Sequence, residues 1–252
     1  MSSTKSSARP ASAGRHAGPF VTTHWSVVVA AGRSDSTRAQ SALSTLCQAY
    51  WYPLYSYVRR RGYSPHDAQD MTQEFFARLL EHNWLARASR ERGRFRTFLL
   101  SALSHFLANE WDKARAQKRG GAVQFLPLQL DTAETRYSAE PADIVTPEQC
   151  YERRWALALL DNVLTRLGNE YRAEQKGKLF EVLKPSLAGQ RQSQPYASLA
   201  TKLDMSEGAV KVAVHRMRQR YREILKDEIA QTVSAQEEVE EEMRYLLTVL
   251  TR

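Results

Sequence analysis

Cysteine is nearly absent from this chain, with only Cys47 and Cys150 in 252 residues. No Cys-x-x-Cys or similar ligand spacing occurs, which argues against a structural zinc site, and no cofactor is expected. Two cysteines allow one disulfide, a bond uncommon in a reducing compartment. Cys47 falls within an apolar helical pattern and reads as a core residue. Long apolar runs are also missing. None approaches the roughly 20 residues needed to cross a bilayer, so a membrane is not an expected partner. The first residues, MSSTKSSARPASAGRHAG, lack the apolar centre of a signal peptide. Their Ser, Ala, Gly and Arg content reads as a disordered arm over 1–19, and a cytoplasmic location is expected. Strand signals are scarce as well, and helical periodicity dominates.

What is present is basic charge, unevenly placed. The chain has 36 Lys and Arg against 28 Asp and Glu, a net +8. That excess is modest for the length and favours a polyanionic partner only weakly. Its distribution is more informative. Residues 87–119 hold nine basic and three acidic side chains, a net +6. Residues 206–226 hold six and two, a net +4, whereas 227–252 hold seven acidic and two basic, a net −5. Two separate basic segments point to nucleic-acid contact in two places.

The expected fold is all-α, with two small helical domains joined by a flexible linker. Residues 25–31 form a short first helix. A long helix spans 41–61, burying Leu43, Leu46, Cys47, Tyr50, Leu54, Tyr57 and Val58, and Gly62 ends it. Ser64 then caps a helix running to about Glu81. Pro65 sits where its missing N–H is not needed, and Asp67 lies near the positive helix end. Phe95 opens the next helix, which reaches about Lys118 before Gly120 and Gly121. Residues 120–147 hold three prolines and little periodicity and read as the linker. Thr146 and Gln149 have the spacing of a capping box. The helix they open carries Tyr151, Trp155, Leu159, Val163 and Leu167, with Gly168 as its expected end. Another helix is expected over 170–183.

Residues 196–221, YASLATKLDMSEGAVKVAVHRMRQRY, read as a helix-turn-helix. Tyr196, Leu199, Ala200 and Leu203 share a face of the first helix, and Asp204 and Met205 make the turn. Ser206 can cap the second helix by accepting a backbone N–H. That helix buries Val210, Val214, Met217, Tyr221 and Ile224. Another face carries Lys211, His215, Arg218 and Arg222, with Arg216 and Arg220 beside it. A recognition helix presents its N-terminal residues to base edges in the major groove. Ser206, Glu207, Lys211, His215, Arg216, Arg218 and Arg220 are therefore the candidate duplex contacts. The plain alternative is a solvated basic face.

In DAQDMTQEFFARLL, residues 67–80, Asp67, Asp70 and Glu74 recur on one polar face with Gln73 beside them. Phe75, Phe76, Leu79 and Leu80 supply the core side. Carboxylates so spaced suit a divalent metal, but no His or further carboxylate completes a shell, and an acidic helix start is favourable on its own. The segment resembles the most characteristic stretch of bacterial sigma factors of the extracytoplasmic-function type. Asp70, Gln73, Glu74, Phe75 and Leu79 stand at matching positions. SEGAVKVAVHRMR, residues 206–218, is similar to that family's recognition helix at Ser206, Gly208, Val210, Lys211, Arg216 and Arg218. The resemblance covers about 40–226 in matching order. It departs at Phe98 and His105, where the family usually has Trp and Asn. It departs again at Val212 and Ala213, where the family has a polar residue and Arg.

The resemblance implies an alternative sigma factor, not an enzyme. Asp67, Asp70, Gln73 and Glu74 would face core RNA polymerase. The first domain, 20–119, would melt and read the −10 element, and the second, 148–226, would read the −35 element of promoter DNA. An anti-sigma factor is a further candidate partner. GRFRTFLLSALSHFLANEWDKARAQKR, residues 93–119, mixes aromatics with cations, as single-strand binding requires. The candidates on that side are Arg92, Arg94, Phe95, Arg96, Trp111, Lys113, Arg115, Lys118 and Arg119. Phe98 and Phe106 read as core. The family's base-holding loop falls here at about 89–95. Residues 227–252 read as an acidic amphipathic helix with a stripe of Val239, Met243, Leu246, Leu247 and Leu250. That stripe would complete the second domain's core or meet an outside partner, and an acidic tail lying on the basic recognition segment would compete with DNA or repel it. A stand-alone helix-turn-helix regulator is the rival reading, and a metal-dependent nuclease using Asp67, Asp70 and Glu74 is a more distant one.

Overall fold

The computed structural model describes residues 25–32, 37–82, 84–116, 134, 137–138, 146–188 and 195–251. It is all-α, with nine α-helices and no strand among these residues. The arm over 1–19 and nearly all of the linker lie outside them. Helices α1 (Trp25–Ala31), α2 (Thr37–Arg60), α3 (Pro65–Glu81) and α4 (Phe95–Ala116) form the first half. Helices α5 (Pro147–Ala173), α6 (Gly177–Leu183), α7 (Tyr196–Leu203), α8 (Glu207–Ala230) and α9 (Val239–Thr251) form the second.

Local chemistry sets the helix starts. The Asp67 N–H donates to Ser64 Oγ at 3.1 Å, and Pro65 occupies the first turn of α3. Thr146 and Gln149 form a reciprocal capping box on α5. Ser206 Oγ accepts the Ala209 N–H at 3.2 Å at the head of α8. Between α7 and α8, Asp204 turns the chain with φ +52°, in the left-handed region that Asp tolerates better than most side chains. Gly62, at φ +92°, closes the turn after α2.

Packing sets the rest. Helix α2 runs through Pro53, which removes one hydrogen bond from its ladder, yet Leu46, Tyr50, Leu54, Tyr57 and Val58 remain buried along one side. Phe75 of α3 meets Phe106 of α4 at 5.8 Å between ring centres. Helix α5 lies along α2 in the most extensive helix contact, so the two halves share one apolar core. Tyr57 of α2 bonds Ser104 of α4 at 2.9 Å and Glu148 of α5 at 3.3 Å. Full burial of a large apolar side chain contributes about 1.5–3 kcal/mol, and α5 alone buries Tyr151, Trp155, Leu159, Val163 and Leu167. Burial pushes the Cys47 thiol up to about 12 and also raises that of Cys150, so both are protonated, unreactive thiols near neutral pH.

Several helix boundaries differ from those expected. Gly168 does not end a helix, because α5 continues through it to Ala173, and the next helix starts at Gly177 rather than near 170. Gly168 is needed for close approach: a Cβ there would lie 2.9 Å from Cε1 of Phe180 on α6. Helix α8 also continues to Ala230, into the segment counted as tail. The stripe on α9 largely follows the expected one, with Met243 and Leu250 packed against the core. Val239, Glu242, Leu246 and Val249 are buried, and Leu247 is exposed. The helix packs on α5 and α8.

Candidate nucleic-acid interface

Helix α8 presents two kinds of basic residue. Lys211, His215, Arg216 and Arg222 are exposed, as are Ser206 and Glu207 at its start. The Lys211 ammonium lies 5.8 Å from the Tyr196 ring centre. Arg218 points inward instead. Its Nε and Nη2 donate to the Ser186 carbonyl at 3.2 and 2.7 Å, fastening α8 to the turn after α6. Arg220 is held across the domain by both carboxylate oxygens of Glu170, at 2.8 and 2.9 Å, and also by Glu223. The Arg220 hydrogen bonds hold the Glu170 carboxyl below its ordinary value. Carbonyl and carboxylate partners thus engage Arg218 and Arg220 within the fold, with 40% of the Arg220 side chain left exposed. Gln219 shares the exposed face, and neither it nor Arg222 was among the candidates. Beside this face, Leu179, Met205 and Val212 line a groove of about 580 Å³.

The second basic surface begins where a short turn, Arg90–Arg92, leads into α4. Ser89 caps this turn, and Gly93 follows at φ +113°. Arg94 has 27% of its side chain exposed, with Nη2 2.6 Å from Glu242 of α9. Trp111, near the other end of α4, is 61% exposed. Phe95 and Arg96 are corrected from the DNA side. Phe95 is core, edge-on to Tyr50 with ring centres 5.6 Å apart. Arg96 is only 3% exposed. It pairs with Glu152 at 3.0 Å and with the fully buried Glu242, and its guanidinium lies 4.0 Å over the Trp155 ring. The Arg96 carbonyl also accepts from the Tyr151 hydroxyl at 3.0 Å. The side chains of Arg92, Lys113 and Arg115, and all of Lys118 and Arg119, lie outside the described residues. Phe106 is core as expected, and Phe98 is half-buried.

The acidic strip of α3 is narrower than the sequence predicts. Gln73 is 7% exposed, so burial removes it from a polymerase-facing surface. Glu74 accepts from Arg78 at 2.7 Å, and Arg78 bridges on to Glu110 of α4 at 2.5 Å. Asp67 accepts from Ser64 within the cap. Asp70 pairs with exposed His66 one turn back, at 3.1 Å. Among the described residues, no three His, Cys, Asp or Glu side chains gather to hold a metal.

The comparisons bear on the surface around α4 and on the acidic strip of α3. Residues 46–117 match sigma-70 region 2. The match spans the later part of α2 and all of α3 and α4. The match covers less than a third of the chain. Within region 2, the acidic strip of α3 and the cationic entry to α4 belong to one matched unit. No curated protein and no solved structure matches the chain.

Proposed function

We propose that this chain is an alternative sigma factor of the extracytoplasmic-function type. It binds core RNA polymerase, directs it to a promoter class and assists duplex opening. It performs no bond chemistry of its own, and it acts in the cytoplasm. The observation that carries this reading is the region 2 match over helices that bear both the acidic strip and the aromatic-cationic segment. In this reading, α3 meets the polymerase through Asp70, with Asp67 and Glu74 flanking it. The loop before α4 and Trp111 meet the melted −10 strand. Helices α7 and α8 form a helix-turn-helix whose exposed Ser206, Glu207, Lys211, His215 and Arg216 meet the −35 duplex. Stacking on an aromatic supplies about 1–3 kcal/mol per base, and the exposed indole of Trp111 is open to it.

Asp70 gives the cleanest test. Reversing Glu74 would also set a like charge beside Arg78, which bridges on to Glu110 of α4. Asp70→Lys forfeits only an exposed contact to His66. The full chain should co-purify with core polymerase, and Asp70→Lys should weaken that association while leaving the helical circular dichroism unchanged. Equal retention of both proteins would reject the assigned face. No retention of the wild type would favour a stand-alone DNA-binding regulator.

A further inference from the structure

The cations at the entry to α4 are occupied by the acidic C-terminal segment. Arg94 reaches Glu242 at 2.6 Å. Arg90 donates through Nε to the Val233 carbonyl at 2.6 Å and through Nη2 to the Ala230 carbonyl at 3.3 Å. The Ser234 hydroxyl donates to the Arg90 carbonyl. Four ties therefore join the 90–94 loop to residues 230–242. A cleft runs between them, walled by Arg94, Thr97 and Phe98 on one side and by Ser234 and Glu238 on the other. Its mouth combines a half-buried aromatic, cations and a glycine with positive φ, the furniture of a nucleotide-sized site. Its far wall carries a carboxylate, which repels phosphate.

The ties differ from the contacts that hold α9 in place. Val239, Leu246 and Val249 bury their side chains as α9 packs on α5 and α8. Arg96 holds Glu242 from inside and is itself paired with Glu152. Arg94 approaches from the solvent side, where it also lies 5.6 Å from the ring centre of Tyr245 on α9. Withdrawing the loop thus breaks ionic and carbonyl contacts while leaving the apolar seat intact. Breaking a buried ion pair from one side is costly when it strands a charge, but Arg96 stays on Glu242 when Arg94 withdraws. Such a contact yields to a competing anion more readily than apolar packing does.

We propose that the 230–242 segment is an intramolecular competitor of single-stranded DNA. Glu242 and the carbonyls of 230 and 233 occupy Arg94 and Arg90 in place of phosphate. The cleft accepts a strand only after the loop has released them. This rests on the sigma-factor reading for its biological meaning, but its physical content is the competition alone. A ligand shifts such an equilibrium only by its differential affinity for the two states. Free protein should therefore bind single strands weakly, and any change that favours the released loop should strengthen binding.

The test uses the full chain and a short fluorescein-labelled oligothymidylate, read by anisotropy across a salt series without polymerase. Glu242→Gln frees Arg94. It should bind severalfold more tightly at low salt, with a log–log salt slope steeper by about 0.7 for the one cation released. The double variant Arg94→Ala/Glu242→Gln should lose that gain. A folded Glu242→Gln protein with unchanged affinity and slope would overturn the proposal, as would a gain that persists without Arg94. Should Glu242→Gln fail to fold, a short bifunctional maleimide bridging Ser89→Cys and Ser234→Cys decides the matter. Bridging should abolish oligonucleotide binding relative to the unbridged protein, and equal binding would overturn the competition. Promoter-dependent transcription by wild type with core polymerase is scored separately. Transcription without any gain in Glu242→Gln removes the competitor and keeps the sigma reading. A gain in binding without transcription does the reverse.

Discussion

Replacing Arg96 by alanine should unfold this protein's interior rather than weaken DNA contact. Arg96 is almost wholly buried, and Glu242, one of its partners, is completely so. Removing the guanidinium leaves Glu242 with Arg94 alone and strips Glu152 of this partner. Breaking a buried ion pair from one side costs about 3–5 kcal/mol, since the remaining charge stays desolvated. The stacking of Arg96 on Trp155 at 4.0 Å is lost with it, a contribution of up to about 2 kcal/mol that overlaps the first and does not simply add. Against a typical total of about 5–15 kcal/mol, the loss takes a large share of the stability. Replacing both partners by apolar residues of similar shape, Arg96→Met/Glu242→Leu, removes the stranded charge and should cost less than Arg96→Ala alone. Urea unfolding followed by far-ultraviolet circular dichroism measures both. An Arg96→Ala protein with an unchanged midpoint but weakened single-strand binding would refute the reasoning and return Arg96 to the DNA surface.

Gly168→Ala places a methyl 2.9 Å from the Phe180 ring. Overpacking of about 1–3 kcal/mol should outweigh the helix-propensity gain of about 1 kcal/mol, so the thermal midpoint should fall, and a rise would mean that the ring moves aside freely. Glu170 is held below its ordinary carboxylate value by Arg220, so its contribution to stability is complete above that value and is lost as pH falls through the lowered one. Glu170→Gln should thus flatten the acid limb of the stability–pH curve, and an unaltered limb would contradict the assignment. Lys211→Ala and Arg216→Ala should each reduce the salt slope of duplex binding by about one unit without changing the melting temperature. Arg218→Ala should lower the melting temperature instead, and the opposite pattern would reverse the two roles.

The helix starts were legible because capping is local chemistry. Ser64, Thr146 and Ser206 each sit within three residues of the N–H they accept. The family motif on α3 was legible for a similar reason, as a short contiguous pattern. Gly168 was misread because its role depends on Phe180, twelve residues away on another helix. Charge was the least legible feature. Arg96, Arg218 and Arg220 look like solvent-facing cations in sequence, yet Glu242, Ser186 and Glu170 claim them across the fold. Hydrophobic spacing on α9 favoured Leu247 over Glu242 because it takes no account of an arginine waiting opposite. Arg90 carried no signal at all, since its partners are backbone carbonyls.

A sigma factor confers promoter selection on RNA polymerase. Multi-template transcription in vitro measures this, with purified chain, core polymerase and a library of genomic fragments, and with core polymerase alone as the reference. A discrete set of new start sites is expected, absent without the chain and lost with Asp70→Lys. Transcripts indistinguishable from those of core polymerase alone, in a preparation whose duplex-DNA binding is intact, would contradict the sigma-factor reading.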